Sequence, residues 1–231
     1  MSVTSFYTGA PRHMVAVDCI IFGFENGQLK LLIVKRLPAP YHGAWSLMGG
    51  FVHDGESLND AAARVLQVNT GLDNIYMDQL HCYGDVNRDT GGRVISVAYY
   101  ALIRISEHLP QLSAEYDAHW LTLQEIPDLI FDHGQMITDA LMKLRDKAHF
   151  HPIGFELLPE KFSLPQLRNL YEEIYQRPLD KRNFRKKILA MDILEKLDEK
   201  DKSTSKKGAN LYRFDKSKYG ELMQRGMVFE I

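Results

Sequence analysis

The sequence contains little cysteine, no long hydrophobic run and almost no net charge. Its 231 residues include two cysteines, Cys19 and Cys82, and a formal net charge of −2. Both cysteines lie in apolar or aromatic runs typical of strands, so we expect buried free thiols rather than a disulfide, and a cytoplasmic location. No apolar run approaches the roughly 20 residues that a membrane span requires. The first residues lack a basic region followed by an apolar core, so we expect no signal peptide.

Charge is distributed unevenly along a chain whose composition is that of a soluble globular protein. Apolar residues make up 45% of the sequence and charged residues 25%. Residues 1–150 contain 11 lysines and arginines against 17 acids, whereas residues 151–231 contain 17 against 13. This asymmetry predicts two domains with different partners, residues 1–150 and residues 151–231.

The order of strand-like and helix-like segments predicts an α/β fold for the first domain. Asn26-Gly27 is typical of a tight hairpin turn between two apolar strands. Apolar residues after Asp132 recur with the period of a helix. The segments with strand character are Val15–Phe22, Leu29–Arg36, Ile75–Tyr83, Val94–Ile105 and Ala118–Thr122. Residues 149–161, with two prolines and a glycine, mark a boundary that is either a flexible linker or a packed connection.

Residues 50–72 read G-F-V-H-D-G-E-S-L-N-D-A-A-A-R-V-L-Q-V-N-T-G-L. This run resembles the Nudix signature G-x5-E-x7-R-E-U-x-E-E-x-G-U, in which U is apolar. The matching positions are Gly50, Glu56, Arg64, Gly71 and Leu72. The three remaining glutamate positions are occupied by Val65, Val68 and Asn69.

The three replaced positions are spaced i, i+3 and i+4 and therefore share one helix face. Carboxylates there would hold Mg²⁺, which prefers hard oxygen ligands, but two valines and an amide would not. We expect the helix itself to persist, capped by Ser57 with Asp60, stopped at Gly71 and braced by a Glu56–Arg64 pair. We therefore expect no catalysis, no metal and no cofactor. A divergent hydrolase is one alternative, and its acids near the box would be Asp54, Glu56 and Asp60.

The basic second domain has the pattern of a winged helix-turn-helix. Ser163 precedes an amphipathic helix, a short turn follows, and Asp180 caps a second helix that buries Phe184, Ile188 and Met191. A polar, lysine-bearing loop between two strand-like runs then suggests a wing. The side chains expected to contact DNA are Arg182, Asn183, Arg185 and Lys186 on the second helix and Lys202, Lys206 and Lys207 in the wing. An ordinary interaction module with a basic tail is the other alternative.

A Nudix domain without its metal carboxylates followed by a winged helix resembles the Nudix-related transcriptional regulators. The resemblance covers nearly the whole chain and includes K-R-L-P-A-P-Y-H-G-A-W-S-L-M-G-G-F-V, F-D-H-G-Q-M-I and D-K-R-N-F-R-K-K-I. It implies a Nudix α/β/α sandwich followed by a winged helix-turn-helix domain. It also implies a bacterial, dimeric repressor that binds double-stranded operator DNA and a small effector. Some branches of the family control NAD metabolism and respond to ADP-ribose-like molecules, and others control sugar use.

The chemistry of the first domain favours a neutral pentose such as arabinose as the effector. A pyrophosphate held without metal needs several basic side chains. Arg64 is expected to pair with Glu56, which leaves only Arg36, Arg88 and Arg93 near the expected cavity. A sugar needs polar groups for its hydroxyls and an aromatic face. The residues expected to bind it are Tyr41, Trp45, Asp85, Arg93 and Glu115. ADP-ribose is the alternative effector.

Overall fold

The computed structural model describes residues 9–37, 39–108, 117–202, 207–226 and 229–231. Two sheets organise this part of the chain. The strands of the first are β1 (Met14–Glu25), β2 (Gln28–Lys35), β3 (Trp45–Ser46), β4 (Met48–Phe51), β5 (Asp78–Tyr83), β6 (Val94–Arg104) and β7 (Ala118–Thr122), and those of the second are β8 (Phe162–Ser163), β9 (Leu194–Asp201) and β10 (Ala209–Phe214). The helices are α1 (Leu58–Thr70), α2 (Ile105–His108), α3 (His133–Phe150), α4 (Leu164–Tyr175), α5 (Lys181–Ala190) and α6 (Lys216–Gln224).

The first sheet is mixed and has the central order β3-β2-β1-β6-β5. Strand β1 runs parallel to β6 along its length and pairs antiparallel with β4 through its first half and with β2 through its second half. Strand β7 lies on the other side of β2. The turn at Asn26-Gly27 joins β1 to β2, as the sequence predicts.

The first sheet is covered on both faces, because its central strands bury residues of both parities. Val17, Cys19 and Ile21 of β1 pack with α1 on one face. Ile20 and Phe22 point to the other face, where α3 packs. The α/β/α sandwich expected from the sequence is therefore confirmed.

Residues 151–161 form a packed connection rather than a loose linker. A single 3₁₀ turn at Phe155–Leu157 buries both of these residues, and Leu158 is buried as well. They belong to the apolar cluster that extends from α3 and the sheet into α4 and α5. Contiguous apolar packing of this kind resists free motion between two domains.

The second domain contains the helix-turn-helix and the paired wing strands. Ser163 caps α4 in a capping box with Gln166, and Asp180 caps α5 by accepting the Asn183 N–H at 2.7 Å. Helix α5 buries Phe184 and Ile188 against α4. Strands β9 and β10 pair antiparallel, with β8 on the outer side of β10.

Three details differ from expectation. Strand β5 begins at Asp78 rather than residue 75. Cys19 is buried, but Cys82 is exposed on the edge strand β5, and both are free thiols. Met191, expected in the buried stripe of α5, is only half-buried and follows the end of that helix at Ala190. Glu115 and Lys206 lie outside the described residues.

No helix in the described ranges has both the length and the apolarity needed to cross a membrane.

Candidate effector site and nucleic-acid interface

The loop and helix of the box fold as the five matched residues predict. Ser57 and Asp60 form a reciprocal capping box, and Gly71 ends α1 in the left-handed conformation at φ 79°. Arg64 donates to both carboxylate oxygens of Glu56 and to the carbonyl of Phe51. The Arg64 bonds, with the His53 N–H, lower the pKa of Glu56 to about 2. The expected brace between Glu56 and Arg64 is therefore present.

The three replaced positions do not fit the magnesium ion that the Nudix fold implies. Val65 is 2% exposed and packs in the core under α1, whereas Val68 is 62% exposed. The Asn69 side chain donates at 2.7 Å to the Val65 carbonyl of its own helix. Within the described ranges, no three Asp, Glu, His or Cys residues are grouped as a metal site would require. We therefore derive no chemical step through a metal ion.

A buried ionic cluster, formed by Asp18, Arg88, Asp132 and His133, lies on the α3 side of the sheet. Arg88 binds Asp132 through two hydrogen bonds of 2.8 and 2.7 Å, and its Nη2 is 3.6 Å from Asp18 Oδ2. His133 Nε2 is 3.5 Å from Asp18 Oδ1. The Ser96 hydroxyl donates to Asp18 at 2.5 Å.

The ionic cluster is tied to the start of the box through strands β1 and β4. Asp18 pairs in register with Gly49, and a Cβ at position 49 would overlap the Asp18 carboxylate. Burial lowers the pKa of His133, against the opposing charges of Asp18 and Asp132. Burial alone would lower the pKa of Arg88, but the hydrogen bonds to Asp132 and the charge of Asp18 raise this pKa overall. Arg88 is therefore a fixed cation under the sheet surface.

Aromatic and basic side chains lie directly above the ionic cluster. The rings of Tyr41 and Phe131 meet edge to face at 5.7 Å, and Phe131 meets His133 at 5.6 Å. The Arg36 guanidinium lies 5.9 Å from the centre of the Phe131 ring. The Tyr41 hydroxyl is 3.0 Å from the Thr90 hydroxyl. We call Arg36, Tyr41, Thr90 and Phe131 the effector cluster.

A cleft of about 630 Å³ adjoins both clusters at the start of α3. Phe131 and Asp132 line it, together with residues of the segment 123–129 and of the first two turns of α3. Such a volume lies within the range of small-molecule pockets. Of the residues that the sequence singled out for the effector, none that the structure describes lines this cleft.

The structure brings some of the expected effector residues together and separates others. Arg93 donates to the carbonyls of Gly84 and Asp85, so both predicted residues lie in the loop that also carries Arg88 and Thr90. Tyr41 reaches this loop through Thr90. The Trp45 ring instead packs edge-on against His119, with the Lys35 ammonium over its face at 5.1 Å.

Sequence reasoning missed Asp18, Asp132 and His133 as members of the site. Asp18 interrupts the otherwise apolar run V-A-V-D-C-I-I-F, which is a signal for a partnered charge inside a sheet. Asp132 was expected to start a helix. Its carboxylate accepts hydrogen bonds from Arg88, 44 residues away in sequence, and does not cap α3. No periodicity in the sequence reports that long-range pairing.

The predicted DNA-contacting side chains of α5 share one exposed surface. Arg182, Asn183, Arg185 and Lys186 are all exposed, and so are Lys202 and Lys207 of the wing. Within the described ranges, none of these five cations forms an ion pair. Two exposed acids of β9 have other partners, since Glu195 pairs with Arg213 and Glu199 with Lys161. The surface therefore presents unpaired positive charge, as a phosphate backbone requires.

Comparisons with known proteins agree with this two-part organisation. The profile of the NUDIX domain matches residues 12–140, and that of the NrtR DNA-binding winged helix domain matches residues 154–214. The ADPR responsive transcriptional repressor NtrR of Acinetobacter baylyi is 33% identical over 208 residues, which cover 88% of this chain and 83% of that protein. An ADP-ribose pyrophosphatase of Methanocaldococcus jannaschii is 34% identical over 127 residues, 55% of this chain and 72% of the enzyme.

Two solved structures of Shewanella oneidensis NrtR resemble the fold. The protein complexed with a 27mer DNA superposes with a TM-score of 0.75 at 31% identity, covering 89% of this chain and 95% of that one. Its NUDIX domain complexed with ADP ribose superposes with a TM-score of 0.53 at 31% identity, covering 61% and 94%. The chain therefore belongs to the NrtR family, with a NUDIX domain followed by the DNA-binding winged helix domain of NrtR.

Proposed function

We propose that the chain is a DNA-binding transcriptional repressor that ADP-ribose releases from its operator. The observation that carries the proposal is the joint similarity to a repressor described as ADPR responsive and to a NUDIX domain complexed with ADP ribose. The pentose expected from the sequence finds no support among these relatives. We therefore propose ADP-ribose, the alternative effector, in its place.

The effector cluster offers chemistry suited to ADP-ribose. Arg36 supplies a cation beside the Phe131 ring, which meets Tyr41, and the charge of Arg88 is held in the adjoining ionic cluster. A count of basic residues along the sequence favoured a neutral sugar. In the fold, Arg88 and Arg93 lie in the loop between β5 and β6, and Arg36 lies next to Phe131 before the start of α3. We propose that the residues expected from the sequence to bind the effector bind ADP-ribose instead of a pentose, together with Arg36 and Phe131. The expected residues are Tyr41, Trp45, Asp85, Arg93 and Glu115.

The same geometry supports binding without hydrolysis. Val65 points into the core, Val68 into solvent and Asn69 to its own helix backbone, so no carboxylate is available on the helix face that holds Mg²⁺ in a Nudix hydrolase. The second candidate function is hydrolysis of ADP-ribose, because an ADP-ribose pyrophosphatase is among the relatives. A hydrolase would have to use the acids that flank the box, of which Glu56 is engaged by Arg64.

Helix α3 connects the effector cluster to the DNA-binding domain. It begins at His133 in the ionic cluster and spans 18 residues, or about 27 Å at 1.5 Å per residue. Near its other end, Arg145 donates to the carbonyl of Ile174 at the end of α4, at 3.1 Å. A shift of α3 would therefore move the helix-turn-helix, and a coupling of about 1–3 kcal/mol is the usual requirement for an effector response.

We propose that residues 1–150 bind the effector and residues 151–231 bind double-stranded operator DNA. Arg182, Asn183, Arg185 and Lys186 would contact the major groove, and Lys202, Lys206 and Lys207 the backbone. A homodimer would present two recognition helices to half-sites about 34 Å apart, or a multiple of that distance.

The proposal is tested with a fluorescently labelled fragment of the DNA upstream of the gene. ADP-ribose should lower the anisotropy of the preformed complex in a saturable manner, and arabinose should leave it unchanged. Arg36→Ala is expected to weaken the ADP-ribose response while DNA affinity without effector is retained. If arabinose dissociated the complex and ADP-ribose did not, the effector assignment would be wrong although the repressor assignment would stand.

A further inference from the structure

The tip of the β1–β2 hairpin is hydrogen-bonded to helix α4 of the DNA-binding domain. Asn169 of α4 donates to the carbonyl of Gly27, and the Leu29 N–H donates to the Glu173 carboxylate at 3.0 Å. Asn169 and Glu173 are spaced i, i+4 and therefore lie on one face of α4. We call these four residues the hairpin clamp. The clamp joins two domains through residues that are 142 and 144 positions apart in sequence.

The Asn-Gly motif of the turn is fitted to this contact as well as to the hairpin. Asn26 and Gly27 both have the positive φ that a tight two-residue turn requires, at 52° and 78°. The Asn169 amide nitrogen approaches so closely that a Cβ at position 27 would lie 3.1 Å from it. A side chain at this position would strain the turn and crowd Asn169. The motif therefore supports an interdomain contact in addition to reversing the chain.

The Glu173 carboxylate completes the hydrogen bonding of strand β2. Strand β7 pairs with β2 up to the pair Lys30 and Thr122 and ends there. Leu29 is the next residue of β2 and is 1% exposed. A buried backbone N–H without an acceptor is costly, so the Leu29 N–H requires a partner at this point. Because Glu173 supplies that partner, the position of α4 is tied to the backbone of the sheet.

The other end of the hairpin lies at the effector site. Asp18 of β1 belongs to the ionic cluster, and Arg36, directly after β2, belongs to the effector cluster. Strand β1 extends about 23 Å from Asp18 to Glu25, at about 3.3 Å per residue. Helix α3 begins at the same site and contacts α4 through the bond from Arg145 to Ile174. Helix α4 is therefore held at two points by two elements that both begin at the effector site.

We infer that the hairpin clamp fixes α4 at Asn169 and Glu173 while a shift of α3 displaces its end at Ile174, so that α4 rotates. A helix held at a single point would only follow the shift, whereas a second, fixed point converts the shift into a rotation. The rings of Tyr171 on α4 and Phe184 on α5 lie 6.0 Å apart in the core, so α5 turns with α4. The inference rests on the proposed function, because it takes ADP-ribose as the cause of the shift. Asn169 and Glu173 are then positioning residues that touch neither effector nor DNA.

The test removes both side-chain partners of the hairpin. Asn169→Ala with Glu173→Ala should leave α4 intact, because alanine is the better helix former at both positions. Saturating ADP-ribose should lower the operator affinity of the unaltered chain by roughly 5- to 150-fold and that of the double variant by less than about twofold. Fluorescence anisotropy measures both values. Operator affinity without effector, and ADP-ribose affinity measured by titration calorimetry, should match those of the unaltered chain.

Two control variants separate the clamp from general damage to the hairpin or to α4. Glu173→Gln keeps a side-chain oxygen that accepts the Leu29 N–H, so the full response to ADP-ribose should remain. Lys30→Gln breaks the ion pair with Glu25 within the same hairpin and leaves the clamp in place. This variant should also respond fully. Thermal melting shows whether each variant is folded.

Hydrogen exchange of the Leu29 amide, followed by NMR, reports on the clamp directly. The amide should exchange slowly in the unaltered chain and equally slowly when ADP-ribose is bound, because the clamp stays closed while α4 rotates. In the double-alanine variant it should exchange at least about tenfold faster. Faster exchange in the unaltered chain on addition of ADP-ribose would show that the clamp opens, which would overturn its role as the fixed point.

The outcomes distinguish this inference from the proposed function. Full release of DNA by ADP-ribose from the double-alanine variant would overturn the inference and leave the proposed function intact. Loss of ADP-ribose binding, or of operator binding without effector, in that variant would assign the contact to building a site and would also overturn the inference. Absence of release in the unaltered chain would overturn the proposed function, and the inferred coupling with it.

Discussion

The two domains place their functional charges in opposite environments. The NUDIX domain buries Asp18, Arg88 and His133 within one cluster under the sheet. The winged helix domain exposes Arg182, Arg185 and Lys186 on α5 without partners in the described part of the chain. Buried charges must be paired, and removing one partner is costly, whereas exposed charges contribute little to stability and remain available to a ligand. The first set therefore stabilises the fold, and we propose that the second binds DNA.

Helices α1 and α5 show the same contrast at the level of one element. Both begin at a side-chain cap, Ser57 and Asp180, and both bury one apolar stripe. Their exposed faces differ chemically, because α1 exposes Asp60, Gln67 and Val68, whereas α5 exposes a row of cations. The residues that cap and bury a helix are thus different from the residues that determine the chemistry of its exposed face.

The largest expected effect is on stability, in the buried cluster. Asp18→Ala leaves Arg88 and Ser96 without their shared partner and should reduce the free energy of unfolding by about 3–5 kcal/mol. Urea denaturation followed by circular dichroism measures this change. The control Asp128→Ala, at an exposed acid, should shift it by less than about 0.5 kcal/mol. A loss below 1 kcal/mol for Asp18→Ala would show that the cluster is dispensable for folding.

The next effect is on binding, at the exposed cations. Arg182→Ala and Asn183→Ala should each cost about 1–3 kcal/mol at the specific operator, because contacts to base edges are lost. Neither should change the melting temperature measurably, which separates this surface from the buried cluster. Unchanged operator affinity in Arg182→Ala would mean that a different surface reads the DNA.

Much of the fold could be predicted from local patterns. The hairpin at Asn26-Gly27, the capping box of α1 and the cap of α5 all depend on residues close together in sequence. The ionic cluster could not be predicted in this way, because its contacts join residues that are 44 to 115 positions apart in sequence. The preference for a pentose effector was reached without such information, since the number of arginines in the sequence does not show how close together they lie in the fold.

Loss of the helix caps should affect α1 and α5 differently. Ser57→Ala and Asp180→Ala should each destabilise the protein by about 1 kcal/mol, because each leaves a helix N–H without its acceptor. Only Asp180→Ala should also weaken operator binding, since of the two helices we propose only α5 as a DNA contact. Thermal melts and DNA titrations of the two variants measure this difference. Equal binding losses would contradict the division of roles.

The smallest expected effect is the pH dependence of stability due to His133. Its folded-state pKa is lowered by burial, so the unfolded chain takes up the proton first. The contribution of His133 is therefore fully present above its ordinary pKa of about 6.5 and is lost as the pH falls towards the lowered value. His133→Gln should flatten the melting temperature between pH 7 and pH 5.5 relative to the unaltered chain. An unchanged slope would mean that His133 does not titrate in this window.

We propose that the Nudix domain of this chain binds its ligand without hydrolysing it. The most direct measurement follows operator occupancy and intact ADP-ribose in one sample containing Mg²⁺, by fluorescence anisotropy and chromatography. We expect that ADP-ribose releases the DNA, that the DNA stays released and that the ADP-ribose is recovered unchanged. Transient release accompanied by conversion of ADP-ribose to AMP and ribose 5-phosphate would contradict the claim.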